Sequence, residues 1–308
     1  MEYGITKLIL GFSGFIEITE CEYQLIKTSR QNLLEVLFLE EKFNLFIENY
    51  YEYETELLAI ASRMMIYGNA DYLLMRNELN LISRRIVNLL TTGRMYLDQS
   101  VQHVDHIYGK KATNYDIVKK SISIQYDQYL GYRVMEALRN YNQHYGFPIH
   151  NLNFSQKLVE VDSSFHLLFK PIPSIDIQQL KGDGHFKNEV LLEIQDIYDN
   201  KLVDVRPLIR EYVEGICNIQ EKIREIAHNN ITTWEQNLDD AIEKFQNQYG
   251  NEIGLAGLAL ISKNDNNQCT LYISKTIIER RLTLEQKNKQ LINLYNRYAS
   301  NEIKNDDI

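Results

Sequence analysis

The chain has 308 residues, 44% of them hydrophobic and 24% charged, which is an ordinary folded composition with enough length for two domains. A formal charge of -9 excludes a protein that coats nucleic acid through a broad basic face, because that mode replaces many phosphate counterions with Lys and Arg, although a site touching one or two phosphates stays open. With no apolar run of about 18 residues, no leader-like pattern and only Cys21, Cys217 and Cys269, neither membrane, export, disulfide framework nor Cys-based zinc is expected, and the expected setting is the cytoplasm.

Residues 1–28 are mixed, with an alternating stretch Phe15–Thr19 that suggests a short hairpin. From about Ser29 the apolar residues fall at three- and four-residue steps, predicting a helix to Tyr53, a second to Gly68, a third over 72–90 and a fourth over 94–108. Gly68-Asn69-Ala70-Asp71, with Asp71 as an N-cap, and Thr91-Thr92-Gly93 are the expected breaks. From Asn114, residues Val118, Ile122, Tyr126, Leu130, Val134, Leu138 and Tyr141 keep an almost unbroken four-residue step, predicting one helix that Gly146, as a left-handed cap, and Pro148 end. After Pro148 the expectation is extended pieces at 165–171 and 175–180. Helices over 186–199, 204–229 and 232–249 follow, then a hairpin of Leu255–Ser262 with Gln268–Ser274 and a terminal helix near 284–298. The expected fold is mainly α: an N-terminal up-and-down bundle over 1–152 (core 29–150) and a C-terminal α+β accessory or sensor domain over 153–308 containing the β-hairpin.

Chemistry concentrates at the end of the best helix, in Arg139-Asn140-Tyr141-Asn142-Gln143-His144-Tyr145. With 14 Arg and 7 His in the chain, any one Arg-to-His spacing arises about 0.3 times by chance, so position carries more weight than spacing. Asn140 and His144 are i and i+4 and share a helix face, where the amide could fix an imidazole tautomer, whereas Arg139 is turned aside by about 140°. A second copy across a two-fold axis could bring Arg and His groups into one cleft. RNA carries its own nucleophile, the 2′-OH, so its cleavage needs only a proton carrier near neutral pH and a cation for the phosphorane. His and the forked guanidinium meet those needs, with no cofactor and no metal.

Arg139-Asn140-Tyr141-Asn142-Gln143-His144 resembles the Arg-x(4–6)-His signature, with a polar residue straight after the Arg, of the HEPN superfamily (higher eukaryotes and prokaryotes nucleotide-binding domain). The resemblance covers about the first half of the chain. It implies an all-α, homodimeric, metal-independent endoribonuclease of toxin–antitoxin, abortive-infection or antiviral type, with Arg139 and His144 catalytic and Asn140 supporting. Its partners would be RNA and, as an option, an antitoxin or regulatory protein. Asn142, Gln143 and Tyr145 are candidate RNA contacts, and Tyr141, on the apolar stripe, is read as core. One branch of the family carries a modified Tyr two residues after its His. Here that position is Gly146, so that regulation is not expected.

The competing reading is a non-catalytic helical module that binds RNA or protein, in which Arg139 and His144 cap the last carbonyls and complement the helix dipole, each for about 0.3–1 kcal/mol. His103 and His106, with Asp98 and Asp105 nearby, are a weaker candidate for a metal on one helical face: two His without a matched pair on another helix read as surface residues.

Overall fold

A computed structural model describes residues 1–68, 72–161, 164–198, 202–264 and 268–299. The chain is mainly helical, with eight α-helices among the described residues and two small antiparallel sheets. In order these are β1 (Glu2–Lys7), β2 (Phe15–Glu17), α1 (Glu20–Tyr67), α2 (Tyr72–Tyr108), α3 (Thr113–Gln128), α4 (Leu130–His144), β3 (Asn151–Val161), β4 (Ser164–Asp176), α5 (Ile177–Asp183), α6 (Asn188–Ile197), β5 (Leu202–Asp204), α7 (Val205–Tyr249), β6 (Leu258–Lys263), β7 (Gln268–Tyr272) and α8 (Thr276–Lys287).

The chain gathers into two compact units, each assembled from three stretches. The first contains Met1–Glu41, Gln99–Val118 and Glu221–Gln290; the second contains Lys42–Asp98, Lys119–Gln220 and the residues from Leu291 onward. A boundary near residue 152 would put β1 and β6 in different domains. Instead they pair in one ladder, with Ile5 opposite Leu260, so Met1–Glu41 and Glu221–Gln290 build one unit together.

In the first unit the sheet order is β2-β1-β6-β7, and the expected hairpins at both ends of the chain are its outer pairs. Ile5, Leu258 and Leu260 from the sheet join Tyr23, Ile26 and Leu33 of α1 and Leu238, Ile242 and Phe245 of α7 in one core. Burying side chains of this size is worth about 1.5–3 kcal/mol each. α1 begins nine residues earlier than Ser29, because Thr19 and Glu22 form a capping box. The Glu22 N–H donates to Thr19 Oγ1 at 3.2 Å and the Thr19 N–H donates to Glu22 Oε2 at 2.8 Å. Lys244 and Thr19 together hold the Glu22 carboxyl down to about 2. Thr19→Ala should therefore lower stability by about 1 kcal/mol, read as a lower urea midpoint at unchanged slope.

In the second unit α1 continues without a break to Tyr67, and Gly68 follows in a left-handed conformation. The proposed Asp71 cap lies outside the described residues. Thr91-Thr92-Gly93 does not interrupt α2. Thr92 Oγ1 donates back to Asn88 O at 2.8 Å, and Gly93 admits the Tyr212 ring, whose Oη would lie 2.4 Å from a Cβ there.

The helix expected from Asn114 is in fact two, broken at Tyr129, whose backbone is extended. The Gly131 N–H donates to Glu211 Oε2 at 2.7 Å, and a Cβ at Gly131 would lie 2.2 Å from Leu208 O. Close approach to α7 thus requires Gly131, and the bend supplies it. The carbonyls freed at the end of α3 are met by Arg133, which donates Nη1 to Tyr126 O at 2.8 Å and Asp127 O at 2.7 Å.

Beyond the bend, α4 buries Tyr132, Val134, Met135, Ala137, Leu138 and Tyr141 along one broad face. β3 and β4 form a long hairpin, and β5 pairs with the inner end of β4. Residues 177–180, expected to be extended, open α5, because Asp176 Oδ1 accepts from the Gln178 and Gln179 N–H groups at 2.8 and 3.3 Å. The two helices expected over 204–249 are the single α7. The terminal helix expected near 284–298 does not form there: α8 lies earlier, over Thr276–Lys287, and among the described residues only a single 3-10 turn, Leu294–Asn296, follows it. The turn that follows it is held by Glu214, which accepts from the Asn293 N–H at 3.1 Å and the Leu294 N–H at 2.6 Å. No helix among the described residues is long and apolar enough to cross a membrane.

Candidate functional site

α4 ends at His144, so the Arg-to-His segment occupies its final turns as expected. The Tyr145 and Gly146 N–H groups donate to Tyr141 O at 2.9 and 3.3 Å. Gly146 does not take the left-handed backbone of a glycine cap. Its role is close approach: a Cβ there would lie 2.6 Å from Tyr141 Oη.

Arg139 is half-buried, and its Nη1 donates to Asn140 Oδ1 at 3.0 Å. That bond replaces the expected one between Asn140 and His144, so within one chain neither Asn140 nor Arg139 touches the imidazole by a hydrogen bond among the described residues. The Arg139 Nε is enclosed and has no acceptor. Its charge acts on Glu136 of α4, one turn earlier. Burial raises the Glu136 carboxyl, while Arg94 at 3.1 Å and, more weakly, Arg139 oppose that rise. His144 is exposed and makes no side-chain hydrogen bond among the described residues, and the same holds for Gln143 and for half-buried Asn142.

Tyr145 is 57% exposed and lies flat against His185, with ring centroids 3.8 Å apart and planes within 5°. His144 meets the same Tyr ring edge-on at 6.0 Å. Tyr145 therefore stands between two exposed imidazoles, with His185 stacked over one of its faces.

Behind Tyr145 opens a cleft of about 280 Å³ lined by Arg76, Asn80 and Ser83 of α2, Tyr141, His150 and Asp183. Arg76 is exposed and pairs with no carboxylate among the described residues, leaving a cation at the mouth. Tyr141 Oη donates to Asp183 Oδ2, and burial together with that bond pushes the phenol up to about 12. Tyr141 is thus a buried, protonated wall that fixes Asp183, in agreement with its reading as core rather than catalyst. Among the described residues no His, Cys, Asp or Glu group with metal-ligand spacing forms on this surface.

His150 follows Pro148 by two residues and carries a fixed tautomer. The Asp176 N–H donates to its Nδ1 at 2.9 Å, so a neutral ring keeps its proton on Nε2, an enclosed atom with no partner. Burial lowers its pKa from 6.5, against the opposing charges of Asp176 and Asp183. Above pH 6.5 the ring is neutral in both folded and unfolded chains and contributes nothing to the pH dependence. Below it the unfolded chain takes up a proton that the folded chain refuses, so stability falls with falling pH. The expected result is a melting temperature that declines more steeply from pH 7 to 5 in the parent than in His150→Gln.

His150, Asp183, His185 and Arg76 escaped the sequence reading. Arg76, His150 and the pair Asp183 and His185 come from three separate stretches, and none belongs to a motif that would mark it. Comparison with family models, curated proteins and solved structures returns no match to this chain.

Proposed function

We propose that the protein is an endoribonuclease that cleaves RNA without a metal by attack of the 2′-OH, acting as a toxin or abortive-infection effector. One observation supports this over the capping alternative: the polar groups at the end of α4 perform no capping that their geometry reveals. The Tyr141 carbonyl is taken by backbone N–H groups, Arg139 donates to a side chain, and His144 donates to nothing among the described residues. Side chains at a helix terminus that satisfy no carbonyl, beside the exposed Tyr145 ring and an open cleft, are placed for a ligand.

In this reading the 2′-oxygen bonds to phosphorus, its proton passes to an imidazole, the P–O5′ bond breaks and the leaving oxygen takes a proton. The products are a 2′,3′-cyclic phosphate and a 5′-hydroxyl. His144 carries one proton transfer, and the half-buried Arg139 guanidinium stabilises the phosphorane. Asn140 holds the guanidinium. Tyr145 contacts a flanking base, while Asn142 and Gln143 lie on the solvent side for the strand. A second proton carrier is supplied by a two-fold copy, which makes the homodimer part of the reading; His185 is the alternative within one chain. The purified protein should cleave single-stranded RNA in EDTA to cyclic-phosphate ends, with a rate per chain that rises with protein concentration if the site is shared. Products with 3′-hydroxyl ends, or a strict need for a divalent ion, would overturn the assignment.

A further inference from the structure

We propose that Glu35, His103 and His106 form a binding site in the first unit for a divalent transition-metal ion of the zinc class. The two histidines are three residues apart on α2 and so share a face. Read alone they lack a third ligand. The fold supplies it from α1, where the Glu35 carboxylate faces both rings. One ligand atom from each of the three lies within 4.8 Å of the others. His103 Nδ1 approaches Glu35 Oε2 at 2.5 Å and His106 Nδ1 approaches the same oxygen at 3.3 Å.

Three features separate this set from a surface ion pair. First, Glu35 forms no pair with a Lys or Arg among the described residues, so its charge is opposed only by the two imidazoles. Second, the anchor is held: the His103 side chain is 12% exposed and packs against Phe38 at 6.1 Å, while the rings of His103 and His106 stand at 87° to one another. Third, the donor set is chemically selective. Two imidazole nitrogens and a carboxylate match zinc and its first-row neighbours, whereas Mg²⁺ and Ca²⁺ want oxygen ligands throughout.

Tetrahedral bonds of about 2.0–2.1 Å place neighbouring ligand atoms about 3.4 Å apart, so the rings need close only a short distance around an ion. Each Nδ1 would then give up its hydrogen bond to the carboxylate and bind metal as the Nε2–H tautomer. Water completes the coordination on the side of His106, which is 61% exposed. Binding joins α1 to α2 and therefore favours the folded state by mass action.

The test uses the full-length chain stripped with EDTA and dialysed free of chelator. Titration with zinc should show one equivalent bound and a raised melting temperature, with no such shift from magnesium. Cobalt(II) should give the visible bands of a low-coordinate site. His106→Ala and, separately, Glu35→Gln should each weaken zinc binding at least about tenfold while melting near the parent temperature in the absence of metal. No saturable zinc binding, or equal binding by the parent and both variants, would overturn the proposal. The readouts are binding and melting alone, so they stand or fall separately from RNA cleavage.

Discussion

His144→Ala should lower the rate of RNA cleavage by about 10²–10⁴-fold, the usual range for losing a positioned proton carrier, while leaving the melting temperature near that of the parent. The second half of the expectation follows from the exposure of His144 and its lack of any side-chain hydrogen bond among the described residues, since such surface changes move stability by about 0.5 kcal/mol or less. Arg139 gives a sharper discrimination. Arg139→Lys keeps the positive charge and loses the fork, so under the ribonuclease reading it should still cost about 10²-fold in rate. Under the capping reading Lys serves the helix dipole equally well, Arg139→Ala lowers only the melting temperature, and no variant alters any cleavage. Measured cleavage that survives His144→Ala at the parent rate would remove this histidine from the chemistry.

The largest expected loss of stability lies in the first unit, at Glu40 of α1 and Arg224 of α7. The guanidinium grips the carboxylate by two parallel bonds, Nε to Oε1 and Nη2 to Oε2, both 2.8 Å, with side-chain exposures of 14% and 3%. Arg224→Ala takes the forked donor away from a carboxylate that water scarcely reaches, and should cost about 3–5 kcal/mol in urea unfolding. Replacing both residues by Leu should recover much of that loss, because the penalty comes from burying a carboxylate without its guanidinium more than from losing the pair itself. A single-variant cost below about 1 kcal/mol would mean that water or another group solvates Glu40.

The helices were legible wherever an apolar stripe recurs every three or four residues, and the end of α4 at His144 with it. Two kinds of feature were not. Thr19-Glu20-Cys21-Glu22 carries the spacing of a capping box, but it opens a stretch of weak periodicity, so the apolar pattern marks α1 only from about Ser29. The bend at Tyr129 left no mark in the four-residue step, because its cause lies in the approach of Leu208 and Glu211 to Gly131, contacts formed by residues some 80 positions away. Partner choice was equally hidden. The alternation over Phe15–Thr19 suggests a hairpin without disclosing that β6, about 250 residues later, pairs with its first strand. The candidate site divides on the same line. Arg139, Asn140 and His144 are neighbours in sequence and could be read, whereas Arg76, His150, Asp183 and His185 meet Tyr141 and Tyr145 only after folding.

The β3–β4 hairpin extends its ladder well past the body of the second unit. From Ser155 to Leu158 and from Ser164 to Leu167 both strands are exposed, with Leu158, Phe165 and Leu167 in water. β4 then turns inward, pairs with β5 at Ser174–Asp176, and passes directly into α5, whose final residue, Asp183, holds Tyr141. The ribbon is therefore a handle joined to the cleft by unbroken hydrogen-bonded backbone. A pull on its outer end would reach the wall beside Tyr145 without first being absorbed by a loop.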